Sequence, residues 1–112
     1  MTEITNIAEK WLANLLKRTE EPTQYIAGFR TVRGRELALQ RNRDAIYIWT
    51  EHLELPDTLS LRPKRHYPNT KSRSSNLNRK NTPRLVVGKP VDYWELETTD
   101  ELKTLVEWYQ LQ

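Results

Sequence analysis

Apolar residues recur with a helical period at both ends of the chain and with a period of two between them. Residues 3–19 have i, i+3, i+4, i+7 spacing, which predicts an amphipathic helix capped by Thr2 or Thr5 and ended before Pro22. Its expected buried stripe consists of Ile4, Ile7, Ala8, Trp11, Leu12, Leu15 and Leu16. We expect this stripe to cover a sheet; a dimer or partner-helix interface is the alternative.

The period of two predicts three antiparallel strands, over residues 24–32, 36–40 and 45–50. Short turns connect them, and Gly34 in the first turn is free to adopt a positive φ. The third strand, AIYIWT, is β-branched and aromatic and is apolar on both faces. We therefore expect it to lie in the centre of the sheet.

Two further strands are predicted over 85–87 and 91–97, and a second helix follows Thr98. Thr98 and Glu101 form a capping-box pattern ahead of an apolar helical stripe. The predicted order is α-β-β-β-(long basic loop)-β-β-α, an α+β fold with an antiparallel sheet of about five strands and both helices on one face. The length of 112 residues predicts one domain over 1–112.

The segment 62–84, which we call the basic loop, reads RPKRHYPNTKSRSSNLNRKNTPR. It holds eight Lys and Arg residues and no acidic residue, whereas the whole chain has a net charge of +3, so the remainder of the chain is acidic. Three prolines and a Ser- and Asn-rich middle argue against a helix or a central strand. Leu77 is its only aliphatic residue, and we expect it to anchor the loop.

The basic loop predicts a nucleic-acid-binding module, with DNA slightly favoured over RNA. Cations and hydrogen-bond donors can follow a phosphate backbone, and His66 and Tyr67 can stack on a base. The candidate contacts are Lys64, Arg65, His66, Tyr67, Lys71, Arg73, Ser75, Asn76, Asn78, Arg79, Lys80 and Arg84, joined by Arg33 and Arg35 from a hairpin turn. The architecture suggests a specificity or modified-base-reading domain of a restriction, modification or defence system.

Aromatic residues in the strands offer a way to hold an extruded base. Trp49, Tyr67, Tyr93 and Trp94 are the candidates for such a pocket. We prefer core positions for the two tryptophans, because they fall in adjacent predicted strands. Tyr67 lies in the polar loop, where we expect it to be accessible to a ligand.

Two other functions fit the same residues. A small ribonuclease or toxin could use His66 as an acid or base, with Lys64, Arg65 and Tyr67 around it. A charged protein–protein interaction module or inhibitor could use the acidic patches and the basic loop together. Asp92, Glu95 and Glu97 are interpreted as the solvent-facing side of an edge strand, and we expect no catalytic activity in this chain.

Composition excludes several kinds of site. The chain has no cysteine, so disulfides and thiolate metal sites are excluded. His52 and His66 are too few for a metal site made of histidine alone; a mixed histidine–carboxylate site remains possible but has no recognisable spacing. We therefore expect no metal and no other cofactor. Three glycines exclude a glycine-rich phosphate loop.

No run of about 18 apolar residues is present, so the sequence predicts no membrane association. The first residues lack the apolar region of a secretory signal, and the absence of cysteine fits a reducing compartment. These features predict a cytoplasmic protein. The sequence leaves open a further domain, a protein partner and any oligomeric state.

Overall fold

The computed structural model describes residues 3–112, so the cap proposed at Thr2 lies outside the described residues. The chain has an α+β fold with a helix towards each end, as the sequence predicted, and its sheet has six strands rather than about five. In chain order the elements are α1 (Glu3–Leu15), β1 (Lys17–Arg18), β2 (Ile26–Arg30), β3 (Glu36–Gln40), β4 (Ile46–Glu51), β5 (Arg65–Tyr67), β6 (Val91–Leu96) and α2 (Thr99–Tyr109).

The sheet is antiparallel throughout and has the strand order β1-β2-β3-β4-β6-β5. The central position predicted for β4 is confirmed, because β4 pairs with β3 on one side and with β6 on the other. Ile48 in β4 lies opposite both Leu39 and Trp94. The apolar character of β4 on both faces is explained by a separate covering layer on each side of the sheet.

Both helices pack on the same face of the sheet, as predicted. Leu12 of α1 and Leu105 of α2 share one buried cluster with Phe29, Ile48 and Trp94 of the strands. The capping box of α2 is confirmed, because the Thr98 hydroxyl accepts from the Glu101 N–H while the Glu101 carboxylate accepts from the Thr98 N–H. Neither helix in residues 3–112 has the length and apolar character needed to cross a bilayer.

The first helix is shorter than the predicted 3–19 and ends at Leu15. The chain then turns into the sheet, because Lys17 and Arg18 pair with β2 as its outer neighbour. Two residues of the predicted buried stripe, Leu15 and Ile7, are exposed, by 43% and 48%. Thr5 is not a cap either: it lies within the helix, and its hydroxyl donates to the carbonyl oxygen of Arg43.

The opposite face of the sheet is covered by the basic loop and the residues that follow it. Leu77 and Leu85 are buried in a second apolar cluster with Ile26, Ala38 and Trp49 of the strands. The anchor role predicted for Leu77 is confirmed, since only 7% of this residue is exposed. The protein therefore has three layers: two helices, the sheet, and an irregular layer made largely of the basic loop.

Strand boundaries around the basic loop differ from the prediction. Residues 65–67, placed in the loop, form β5 on the free edge of β6, so β6 is an internal strand and not the edge strand we expected. Residues 85–87, predicted as a strand, form turns instead, in which the Leu85 N–H donates to the Thr82 carbonyl. β4 is flanked by β3 and β6, and β6 is flanked by β4 and β5, so neither strand has a free side on which an additional strand could pair.

Candidate nucleic-acid interface and the polar clusters beside it

Arg73 holds the basic loop together from within. Its guanidinium donates to the carbonyl oxygens of Lys89, Pro68 and Leu85 at 2.6, 2.8 and 3.3 Å, and to that of Lys71 at 3.1 Å. Burial lowers the pKa of Arg73, against a smaller opposite effect of Tyr67. These bonds occupy its donors, so Arg73 orders the loop, and its predicted contact with phosphate stays a prediction.

The tip of the basic loop is ordered by short-range side-chain bonds. The Asn78 carboxamide oxygen accepts from the backbone N–H groups of Lys80 and Asn81 at 3.0 and 2.7 Å. The carbonyl oxygen of Asn81 in turn accepts from the Thr19 hydroxyl at 2.6 Å. This contact places the loop backbone directly on Gly28 of β2, where a Cβ would lie 2.3 Å from the Asn81 oxygen.

Arg84, the last residue of the basic loop, belongs to an ion-pair network at one end of the sheet. The members of this network are Arg30, Arg35, Glu36, Glu51 and Arg84. The guanidinium of Arg84 contacts both carboxylate oxygens of Glu51 at 2.8 Å, and Arg35 contacts the same carboxylate at 3.2 Å. Arg30 pairs with the buried Glu36 at 2.6 Å. Burial raises the pKa of Glu51, but its bonds to Arg84, the Glu36 N–H and Arg35 outweigh burial and lower it.

Half of the eight cations in the basic loop thus form ion pairs or side-chain hydrogen bonds within the molecule, and a fifth, Arg65, lies over the Tyr67 ring, 5.2 Å from its centroid. Besides Arg73 and Arg84, Lys64 pairs with Glu95 at 2.5 Å, and Arg62 donates to the carbonyl oxygens of Leu59 and Leu61. The contact with Glu95 raises the pKa of Lys64. The other four have no carboxylate partner among residues 3–112, and we call them the unpaired loop cations: Arg65, Lys71, Arg79 and Lys80.

The unpaired loop cations are all exposed, and Arg79 lines a shallow concavity of about 340 Å³ on the irregular layer. Its other walls carry hydroxyl, carboxamide and aliphatic groups from Ser72, Arg73, Ser74, Ser75, Leu77, Asn78, Val86 and Val87. Of the remaining predicted contacts, Ser75 is exposed and Asn76 is partly buried. Arg33 is exposed in the β2–β3 turn, at the end of the sheet that also holds Arg35 and Arg84.

The aromatic residues considered for a base pocket are divided between the two faces of the sheet. Trp94 is buried under the helices and Trp49 under the irregular layer, so the predicted core positions are confirmed. Trp49 contacts Tyr93 and Tyr67 with ring centroids 4.4 and 5.2 Å apart. Tyr67 is consequently part-buried rather than freely accessible, and burial raises the pKa of Tyr93 to about 12.

His66 contacts Asp92 and belongs to a group that we call the histidine cluster: His52, His66 and Asp92. Its Nδ1 lies 2.8 Å from Asp92 Oδ1, and the Nδ1 of His52 lies 3.0 Å from Asp92 Oδ2. Asp92 is 1% exposed, so it is not the solvent-facing residue that we expected. No sequence pattern indicates this group, because Asp92 is 26 and 40 residues away from the two histidines and meets them only through strand pairing.

The chain matches no protein-family model, and no curated protein or solved structure is significantly similar to it. The geometry of its own residues is therefore the basis on which a function can be proposed.

Proposed function

We propose that this protein binds nucleic acid through the irregular layer, with DNA slightly favoured over RNA. The observation that carries the proposal is the set of unpaired loop cations: Arg65, Lys71, Arg79 and Lys80 are exposed on a segment that contains no acidic residue. Like charges held together on one segment repel each other unless a polyanion neutralises them. The other four cations of the loop already have partners within the molecule.

The packing of the basic loop supports this role. The bonds of Arg73, the turn at Asn78 and the burial of Leu77 hold the loop on the sheet before any ligand arrives. A loop that is already ordered loses little conformational entropy on binding, so more of the electrostatic attraction remains as affinity. Arg79 stands beside serine and carboxamide groups at the 340 Å³ concavity, where hydrogen bonds to phosphate or to a base edge can be added.

Within this proposal, the protein acts in the cytoplasm as a specificity or modified-base-reading domain of a restriction, modification or defence system. An extruded base would reach the Trp49, Tyr67 and Tyr93 rings only if part of the irregular layer moved aside, since Leu77 and Leu85 pack in the same cluster.

The test is a salt titration of binding to a labelled DNA duplex, a DNA single strand and an RNA hairpin. We expect DNA to bind somewhat more tightly than the RNA hairpin, with a steep decrease of affinity as salt rises. The variant Arg79→Gln/Lys80→Gln removes two unpaired loop cations without removing any bond that orders the loop. If each cation neutralises one phosphate, the slope of log K against log salt should become less steep by about two units.

The matched control is Lys10→Gln/Lys103→Gln, which removes the same charge from exposed positions on the helices. We expect its salt slope to stay close to that of the unsubstituted protein. Absence of binding to all three ligands near physiological ionic strength, or equal losses in the two variants, would contradict the proposal. The protein-interaction alternative would then be tested next.

The ribonuclease alternative gains no support from the second histidine. The rings of His52 and His66 are in contact, with centroids 4.3 Å apart. A phosphate group therefore cannot lie between them with an acid on one side and a base on the other.

A further inference from the structure

We infer that the histidine cluster is a binding site for a first-row transition-metal ion of the Zn²⁺ type, held by His52, His66 and Asp92. This metal-binding site is additional to the proposed nucleic-acid function and differs from our sequence-based expectation of no metal. The three residues each offer one ligand atom, and these atoms all lie within 4.8 Å of one another.

Three different segments bring the ligands together. Asp92 lies in β6, and strand pairing sets His66 of β5 directly opposite it. His52 follows the last residue of β4, and its N–H donates to the carbonyl of Pro90 at 3.1 Å, which fixes it beside the start of β6. The backbone thus positions all three side chains independently of any ion.

The distances suit a tetrahedral site after a small adjustment. Metal–ligand bonds of about 2.0–2.1 Å put neighbouring ligand atoms about 3.3 Å apart. His66 Nδ1 lies 2.8 Å from Asp92 Oδ1 and His52 Nδ1 lies 3.0 Å from Asp92 Oδ2, so these contacts have to lengthen slightly, while the widest separation among the ligand atoms, at most 4.8 Å, has to decrease. In the hydrogen bonds to Asp92 a neutral imidazole carries its proton on Nδ1; on metal binding the proton moves to Nε2, and the Nδ1 lone pair then faces the ion.

The charge of Asp92 also favours a cation. Its side chain is 2% exposed, and no lysine or arginine among residues 3–112 forms an ion pair with it. A buried carboxylate held only by two imidazoles has hydrogen bonds but no full counter-charge when those rings are neutral. A divalent ion would supply that charge.

The ligand set selects the class of metal. Imidazole nitrogen with one carboxylate suits Zn²⁺ and its neighbours in the first row, whereas Mg²⁺ and Ca²⁺ prefer sites made of oxygen. The side chains of His52 and His66 are 46% and 43% exposed. This exposure gives an ion access from solvent and leaves a fourth coordination position for water.

The test is calorimetric titration of the tag-free full chain with ZnCl₂ in the absence of nucleic acid. We expect one ion per chain, with Mg²⁺ producing no comparable heat. His52→Gln and His66→Gln should each weaken binding at least about ten-fold, since even outer-shell partners of a metal contribute that much. These two are the only histidines in the chain, and there is no cysteine, so loss of binding in both variants identifies the site.

The control is Glu97→Gln, which removes an exposed carboxylate beyond the opposite end of β6 and should leave the affinity unchanged. Both histidines are half-exposed, so the variants should fold, and circular dichroism checks this. Zn²⁺ should raise the melting temperature of the unsubstituted protein but not of the double variant. Failure of Zn²⁺ to bind, or undiminished binding by His52→Gln/His66→Gln, would overturn the inference and would leave the salt titration with DNA unaffected.

Discussion

At the scale of single residues, Gly28 sets how closely the irregular layer approaches the sheet. It lies inside β2, where glycine ordinarily weakens a strand. A Cβ at this position would meet the Asn81 carbonyl oxygen at 2.3 Å and the Thr19 hydroxyl at 2.6 Å. The first of these is a backbone atom that cannot rotate away, so the loop itself would have to move.

We expect Gly28→Ala to lower the free energy of unfolding by about 1–3 kcal/mol, because it forces an overpacked contact. The measurement is urea denaturation. Gly34 is the contrasting case, since its φ is 93° and a Cβ there would have no atom within 4 Å. At that position Gly34→Asn should be tolerated better than Gly34→Ala, because asparagine accepts a positive φ. A Gly28→Ala protein as stable as the unsubstituted chain would show that the loop does not lie on β2.

At the scale of elements, the basic loop behaves as a layer rather than as a projecting arm. Arg73 connects Pro68, which follows β5 within the loop, with Lys89, which lies beyond the end of the loop. We expect Arg73→Lys to cost about 1–2 kcal/mol of unfolding free energy, because one ammonium group cannot reach carbonyls on both sides.

The matched control for this prediction is Arg79→Lys, which keeps the charge at an exposed position and should change stability by less than about 0.5 kcal/mol. Urea denaturation followed by a probe in the basic loop measures the free energy of unfolding of both variants. Equal effects of the two substitutions would rule out the connecting role of Arg73.

Local patterns in the sequence predicted the local elements well. The capping box at Thr98 and the alternation in 45–50 each depend on neighbouring residues, and both were confirmed. Apart from the anchor at Leu77, the layer over the second face was not predicted, because it depends on contacts between distant residues, such as Leu85 with the strands and Asn81 with Thr19. The apolar residues 85–87 resemble a strand locally, yet neither β4 nor β6 has a free side on which they could pair.

The candidate site was predicted only in outline for the same reason. A cation in the sequence does not show whether it has a partner: Arg35 and Arg84 meet Glu51 across separations of 16 and 33 residues. The basic segment was therefore recognisable, but the division between structural and unpaired cations was not. The histidine cluster depends on β5, which forms in a proline-containing segment that we did not expect to pair.

At the scale of the whole molecule, the ion-pair network and Tyr109 join all three layers. The Tyr109 hydroxyl donates to the Glu36 carbonyl at 2.5 Å and accepts from the Glu51 N–H at 3.0 Å, so α2 is tied to β3 and β4. Arg84 connects the carboxylate of Glu51 to the irregular layer. Burial, followed by the charge of Glu51, raises the pKa of Tyr109.

This raised pKa predicts an alkaline loss of stability. The folded state favours the neutral phenol, so the contribution of Tyr109 is complete below the unfolded pKa of about 10 and is lost as pH rises above it. Above that pH, the free energy of unfolding of the unsubstituted protein should decrease by up to about 1.4 kcal/mol per pH unit more than that of the Tyr109→Phe variant. Denaturant titrations of both proteins from neutral to alkaline pH measure the difference. Parallel pH profiles would contradict the prediction.

The two outermost strands are short and cationic: β1 is Lys17–Arg18, and β5 consists of only Arg65, His66 and Tyr67. An exposed sheet edge is a template on which a second chain can add a strand, and short charged edges are how natural sheets oppose this. A second copy approaching either edge would meet two or three backbone positions and a like charge. We therefore expect the folded protein to resist edge-to-edge aggregation at high concentration.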